Sequence, residues 1–219
     1  MVATTVHLLR HGEVHNPDGV LYGRLPGYSL SELGLQMAHR VADHLAGTAP
    51  NGDRADIAVV IASPLQRAQQ TAAPIAAAFG VEVRSDERLL EAENYFQGMT
   101  FGVGDGSLRH PRHWPRLLNP FRPSWGEPYR EQVDRMLAAV DTARELASGH
   151  EAVVVSHQLP IWVTRRALEH EHLWHDPRHR ECSLASLTSL DFEDDRLVRV
   201  RYSEPVADLL PGAATVAGA

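Results

Sequence analysis

The chain has 219 residues, 43% of them hydrophobic and 22% charged, with a formal net charge of −7. That balance describes a globular protein with enough chain for one sizeable core, and its acidity argues against general nucleic-acid binding, which needs basic patches. No apolar run is long enough to span a bilayer, the N-terminus lacks the basic-then-apolar pattern of a secretory signal, and the single cysteine, Cys182, fits a reducing cytoplasm. All 21 basic residues are arginine, which excludes lysine Schiff-base chemistry and a phosphate-loop lysine.

In chain order, Val6 to Leu9 reads as a buried strand followed by a glycine-containing loop. Ser31 is a candidate N-cap for a helix carrying Leu33, Met37, Val41 and Leu45 at helical spacing, and Gly47 marks its stop. Asp56 to Ser63 predicts a second buried strand. Ser63 and Pro64 then predict the N-cap and first position of the next helix, with Pro74 as a kink site. "VEVRS" is a short strand candidate. From Asn94 to Pro128 prolines, glycines, tryptophans and arginines replace periodicity, which predicts a long functional excursion over the sheet edge. "EPYREQVDRMLAAVDTARELASG" predicts an amphipathic helix, Glu151 to His157 a strand, "LPIWVTRRALEH" a helix, and "SLASLTSLDF" with "RLVRVRYSE" a hairpin turning at Glu193 to Asp195. The Ala/Gly-rich stretch from Pro205 reads as a frayed tail.

Alternating strands and helices predict an α/β protein, a three-layer α/β/α sandwich with a mostly parallel central sheet. The expected organisation is one domain over 1–204, with 94–128 as a lid and 205–219 as a tail. Ligands of such sheets bind beyond the carboxyl ends of the strands. Three strands end in polar residues there: Arg10-His11, Ser63 with Arg67 one turn into the helix, and Ser156-His157. Arginine forks match phosphate oxygens, imidazole can attack phosphorus, and strand-to-helix turns offer free N–H groups to anions. The set reads as a phosphoryl pocket.

Five segments in order carry a resemblance. "LLRHGEVHN", "LYGRLPGYSLSELG", "ASPLQRAQQTA", "RLLEAENYFQG" and "VVVSHQLPI" are similar to the signature segments of the histidine phosphatase superfamily, the phosphoglycerate-mutase-like group. The resemblance implies that fold and a metal-free mechanism with no cofactor. His11 is then the nucleophile that forms a phosphohistidine. Arg10, Arg67 and His157 hold the phosphoryl oxygens, and Asn16 and Arg24 are further candidate phosphoryl contacts. Glu91 is the acid that protonates the leaving oxygen, with Glu93 as the alternative. Where the family has Gly after the second histidine, this chain has Gln158. The expected partner is a small phosphorylated metabolite, with no nucleic acid and no membrane. The oligomeric state stays open, dimers being common in the family. A phosphoglycerate-type phosphomutase and a catalytically silent phospho-ligand-binding module are the alternatives to a phosphatase.

Two regions remain. In the excursion, a solvated charged loop and a basic lid that recognises a second anionic group both stay open, with Arg112, Arg116 and Tyr129 as candidate lid contacts. His170, His172, His175 and His179 lack standard zinc spacing, so that segment reads as a polar connection and no metal site is expected.

Overall fold

A computed structural model describes residues 2–47, 54–100, 126–176 and 179–214. Most of the 94–128 excursion, with Arg112 and Arg116, lies outside the described residues.

Among the described residues six strands form one sheet: β1 (Ala3–Arg10), β2 (Ile57–Ala62), β3 (Val83–Ser85), β4 (Glu151–Ser156), β5 (Leu187–Glu193) and β6 (Arg196–Ser203), in the order β3-β2-β4-β1-β5-β6. The first four run parallel, and β5 and β6 add the antiparallel hairpin, with Asp194 at φ 53 in its turn. Four helices cover the faces: α1 (Glu32–Leu45), α2 (Gln66–Phe79), α3 (Tyr129–Leu146) and α4 (Gln158–Leu168). Side chains of a strand alternate between faces, and the core follows that alternation. Val6, Leu8, Val59, Ile61, Ala152 and Val154 pack with α3 and α4, while Leu9, Val60, Ala62, Val153 and Val155 pack with α1 and α2. The result is the expected α/β/α sandwich with a mostly parallel sheet.

Local chemistry accounts for the element ends. Ser31 caps α1, its hydroxyl accepting the N–H of Gly34 at 2.9 Å. Gly47, at φ 71, follows the helix end. Pro74 sits inside α2, which runs unbroken to Phe79. Two expectations differ from the structure. Ser63 does not cap α2: the helix starts at Gln66 after a turn, with Leu65 at the cap position, and the Ser63 hydroxyl faces β4 instead. The stretch from Pro205 is not frayed over its described part, because Val206 is fully buried and Leu209, Leu210 and Ala213 join the α1–α2 core. Burying those apolar side chains removes the reason to fray.

Register places the site. Arg10 pairs with Ser156 and Ala62 with Val155, so the carboxyl ends of β2, β4 and β1 stand side by side.

Candidate active site

β1 delivers Arg10 and His11 to that edge, β4 delivers His157, the first turn of α2 delivers Arg67, and the segment after a 3-10 turn at Glu87–Leu89 delivers Glu91. His11 and His157 are fully buried, Arg67 and Glu91 nearly so. The two imidazoles lie 5.1 Å apart, centroid to centroid.

The loop that holds His11 depends on close backbone approach. A Cβ on Gly12 would lie 2.6 Å from the carbonyl oxygen of Gly34, and one on Gly34 would lie 2.0 Å from that of Glu13. Only glycine lets the loop lie against the first turn of α1 in this way. The N–H of Gly12 donates to Thr71 Oγ1 at 3.1 Å, and that hydroxyl donates to the carbonyl of Arg67 at 2.8 Å, so α2 and the His11 loop are tied together.

His11 Nδ1 lies 2.7 Å from the carbonyl of Gly12. A carbonyl only accepts, so Nδ1 carries the proton and Nε2 carries the lone pair. Burial, then the charges of Arg67 and Arg10, hold the His11 pKa well below the ordinary 6.5, against the opposing Gly12 hydrogen bond. His157 is held low in the same direction by burial, then Arg67 and His11. Its Nε2 lies 2.9 Å from Ser63 Oγ. Burial raises the Glu91 carboxyl above 4.5, opposed by the Ala92 N–H it accepts at 2.8 Å and by Arg67, Arg180 and Arg10.

Of eleven buried side-chain polar atoms without a hydrogen-bond partner among the described residues, five are His11 Nε2, His157 Nδ1, Arg10 Nε, Arg67 Nε and Glu91 Oε2. Each such atom costs about 1–3 kcal/mol when nothing meets it. Their concentration on converging side chains marks a place built to meet an oxygen-rich ligand. Beside it, a cavity of about 180 Å³ is lined by Arg10, Glu13, Asn16, Tyr22 and Leu184 among others.

The remaining candidates divide. Asn16 lines this cavity, and its amide closes the 16–20 turn by donating to the carbonyl of Val20 at 2.9 Å and accepting its N–H at 3.0 Å, which leaves one N–H for a ligand. Arg24 departs from its expected phosphoryl role. Its Nε donates to the carbonyl of Glu91 at 2.5 Å, and its two terminal nitrogens pair with Glu93 and Glu127 at 2.9 and 3.0 Å. Two carboxylates and a carbonyl satisfy the guanidinium, so it braces the Glu91 segment. Glu93 is exposed and occupied by Arg24, whereas Glu91 is buried. Gln158 turns its amide aside, towards the carbonyl of Cys182 and towards Arg180, each at 3.4 Å. Burial pushes the Cys182 thiol up to about 11, so it stays protonated. Tyr129 is buried at the start of α3, its ring 5.7 Å from that of His175.

Sequence reasoning missed Tyr22, whose ring lies 4.7 Å beneath the Arg67 guanidinium. It also missed Ser63 as a partner of His157, and Arg180. No motif marked Arg180, which sits in the segment read as a polar connection. No group of three or more His, Cys, Asp or Glu is arranged around a metal among the described residues, and no helix there is long and apolar enough to cross a membrane.

Comparisons with known proteins bear on the family and the fold. Residues 6–205 match the model of the histidine phosphatase superfamily, branch 1. An uncharacterized protein of Mycobacterium tuberculosis is 58% identical over 204 residues, 93% of this chain and 98% of that protein. A probable phosphoglycerate mutase, GpmB, of Yersinia pestis is 31% identical over 166 residues, 71% of this chain and 70% of that one. Among solved structures, a mycobacterial glucosyl-3-phosphoglycerate phosphatase superposes with a TM-score of 0.68 at 26% identity, covering 91% of this chain and 97% of that one. The chain therefore belongs to the histidine phosphatase superfamily.

Proposed function

We propose that the chain is a phosphomonoesterase acting on a small phosphorylated metabolite through a phosphohistidine on His11. The observation that carries this is the state of His11: Nδ1 is held by the Gly12 carbonyl, and Nε2 is buried, unprotonated and without a partner. A neutral imidazole with its lone pair directed out of its own hydrogen bonding is a nucleophile at neutral pH.

In the first step Nε2 attacks phosphorus and the bond to the ester oxygen breaks. Glu91, kept protonated by its burial, gives that oxygen its proton. Arg10 and Arg67 neutralise the charge spread over the equatorial oxygens, and neutral His157 donates a hydrogen bond to one of them. In the second step ionised Glu91 takes a proton from water, whose oxygen attacks phosphorus. The P–N bond breaks, its electron pair returns to Nε2, and inorganic phosphate leaves. The arginines supply the positive charge, so no metal is required in this scheme.

The similarity to a probable phosphoglycerate mutase favours one second reading, in which the phosphoryl group returns to a substrate oxygen instead of water. Hydrolysis of an aryl phosphate in EDTA by wild type and His11→Ala tests the proposal. The expected result is turnover by wild type and none by the variant. Equal turnover by both contradicts the nucleophile, and wild-type phosphoryl transfer only to a phosphoglycerate favours the mutase.

A further inference from the structure

Arg180 is half-buried and has no carboxylate within ion-pair distance among the described residues; the neighbouring Glu181 pairs with Arg165 instead. A guanidinium partly shielded from water gains from an anion or a dense set of acceptors. It has few. Nε donates to His175 Nε2 at 2.8 Å and Nη1 reaches Gln158 Oε1 only at 3.4 Å; Nη2 has no protein partner among the described residues.

The contact with His175 is orienting. An arginine Nε–H can only donate, so His175 Nε2 carries the lone pair and its Nδ1 carries the proton, which it donates to the carbonyl of Leu173 at 2.9 Å. The imidazole is wedged between the rings of Tyr129 and Trp162, at 5.7 and 6.0 Å. A fixed neutral histidine thus holds Arg180 by its Nε edge and leaves the Nη1–Nη2 edge presented. That is the edge which grips a carboxylate or phosphate in bidentate fashion.

Its place relative to the phosphoryl pocket follows from shared partners. Arg10 Nη1 donates to the carbonyl of Cys182 at 2.7 Å, Gln158 Nε2 approaches the same oxygen, and the other end of that amide meets Arg180. Arg180 is therefore linked to Arg10 through the Gln158 amide and the Cys182 carbonyl. Its field also acts on Glu91, the group that faces the leaving oxygen.

Resting on the phosphomonoesterase reading, we infer that Arg180, oriented by His175, binds a second anionic group, a carboxylate or a second phosphate, carried by the substrate on the leaving-group side of its phosphoester. The substrate class is then a small phosphomonoester with a further negative charge a few bonds from the ester oxygen.

Three probes separate the possibilities: ethyl phosphate, phosphoglycolate, and the bisphosphate of ethylene glycol. Their affinities are measured by calorimetry on His11→Ala, which cannot turn them over in this scheme, and on His11→Ala combined with Arg180→Met or Arg180→Lys. One charge-assisted bidentate contact predicts that a probe with a second anionic group binds about tenfold or more tighter than ethyl phosphate. Arg180→Met abolishes that ratio and Arg180→Lys keeps part of it, while ethyl phosphate binding changes little. Which of the two probes with a second anionic group gains identifies that group. Equal affinities in the parent, a ratio that survives Arg180→Met, or a parallel loss for all three probes would each overturn the assignment. The last would mean that Arg180 serves Glu91 or the fold. Wild-type turnover of an aryl phosphate is followed alongside. If it is present with no probe preference, only the Arg180 assignment fails; if turnover and all binding are absent, the phosphoryl reading fails with it.

Discussion

His11 and His157 face each other with ring centroids 5.1 Å apart and planes tilted by 60°, each tied to the protein through one ring nitrogen and buried without a partner at the other. Two imidazolium ions could not share that space, and both pKa values are depressed.

The pH–rate profile follows from these directions. The proposed first step needs neutral His11 and protonated Glu91. The acid limb therefore falls below the ordinary histidine value of 6.5, and the alkaline limb lies above the ordinary carboxyl value of 4.5. Glu91→Gln should lower the rate and remove the alkaline limb. Stability carries the matching sign. As pH falls below 6.5 the unfolded chain binds protons on His11 and His157 that the fold refuses, so stability drops towards their lowered folded values. Glu91 acts oppositely, its contribution present below 4.5 and lost as pH rises through its raised value. Melting curves across pH 7 to pH 5 read the histidine effect, and His157→Asn should flatten it.

Ser63 should set the tautomer of His157. Its oxygen accepts the N–H of Leu65 at 3.4 Å; when its own hydrogen goes to His157 Nε2, 2.9 Å away, the ring proton sits on the unpartnered Nδ1, where it can meet a phosphoryl oxygen. Ser63→Ala should lower kcat about tenfold or more with little change in melting temperature, and Ser63→Thr should restore most of it. Equal kcat in all three proteins would rule this role out.

The brace on the acid offers a separate test. Glu127 accepts from Arg24 at 3.0 Å and from Arg135 at 2.7 and 3.0 Å, and those arginines hold the carbonyls of Glu91 and Arg88. Arg24→Met or Glu127→Gln should cost about ten- to hundredfold in kcat through misplacement of Glu91, with the inhibition constant of inorganic phosphate nearly unchanged. A large loss of phosphate affinity in Arg24→Met would return Arg24 to the phosphoryl group.

Much of the site was legible because it is encoded locally. Strand ends and a cap at Ser31 are short-range features, and the parallel-sheet rule gathers Arg10, His11, Arg67 and His157 from them. Arg24 misled because its partners Glu93 and Glu127 lie 69 and 103 positions away, and only the folded chain brings them together. Arg180 and His175 escaped for a related reason. Their environment is made by Tyr129 and Trp162 on two different helices, which leaves no periodicity or spacing near residue 180 to read. Ser63 satisfied every local rule for an N-cap, yet the hydroxyl went to a histidine on the neighbouring strand end.

Close packing of the loop against α1 makes Gly34→Ala a sensitive probe. The added methyl would sit 2.0 Å from the backbone carbonyl oxygen of Glu13, which has no flexible end to swing away, so the loop must move. The expected loss is about 3 kcal/mol in denaturant unfolding, with activity falling further than stability because His11 moves too. Wild-type stability in this variant would mean that the loop is not held there.

Trapping the intermediate tests the central claim most directly. Wild-type enzyme mixed with labelled aryl phosphate and quenched within a turnover should carry an acid-labile label on the peptide containing His11, and His11→Ala should carry none. A label on another residue, or steady turnover with no labelled protein at any quench time, would contradict it.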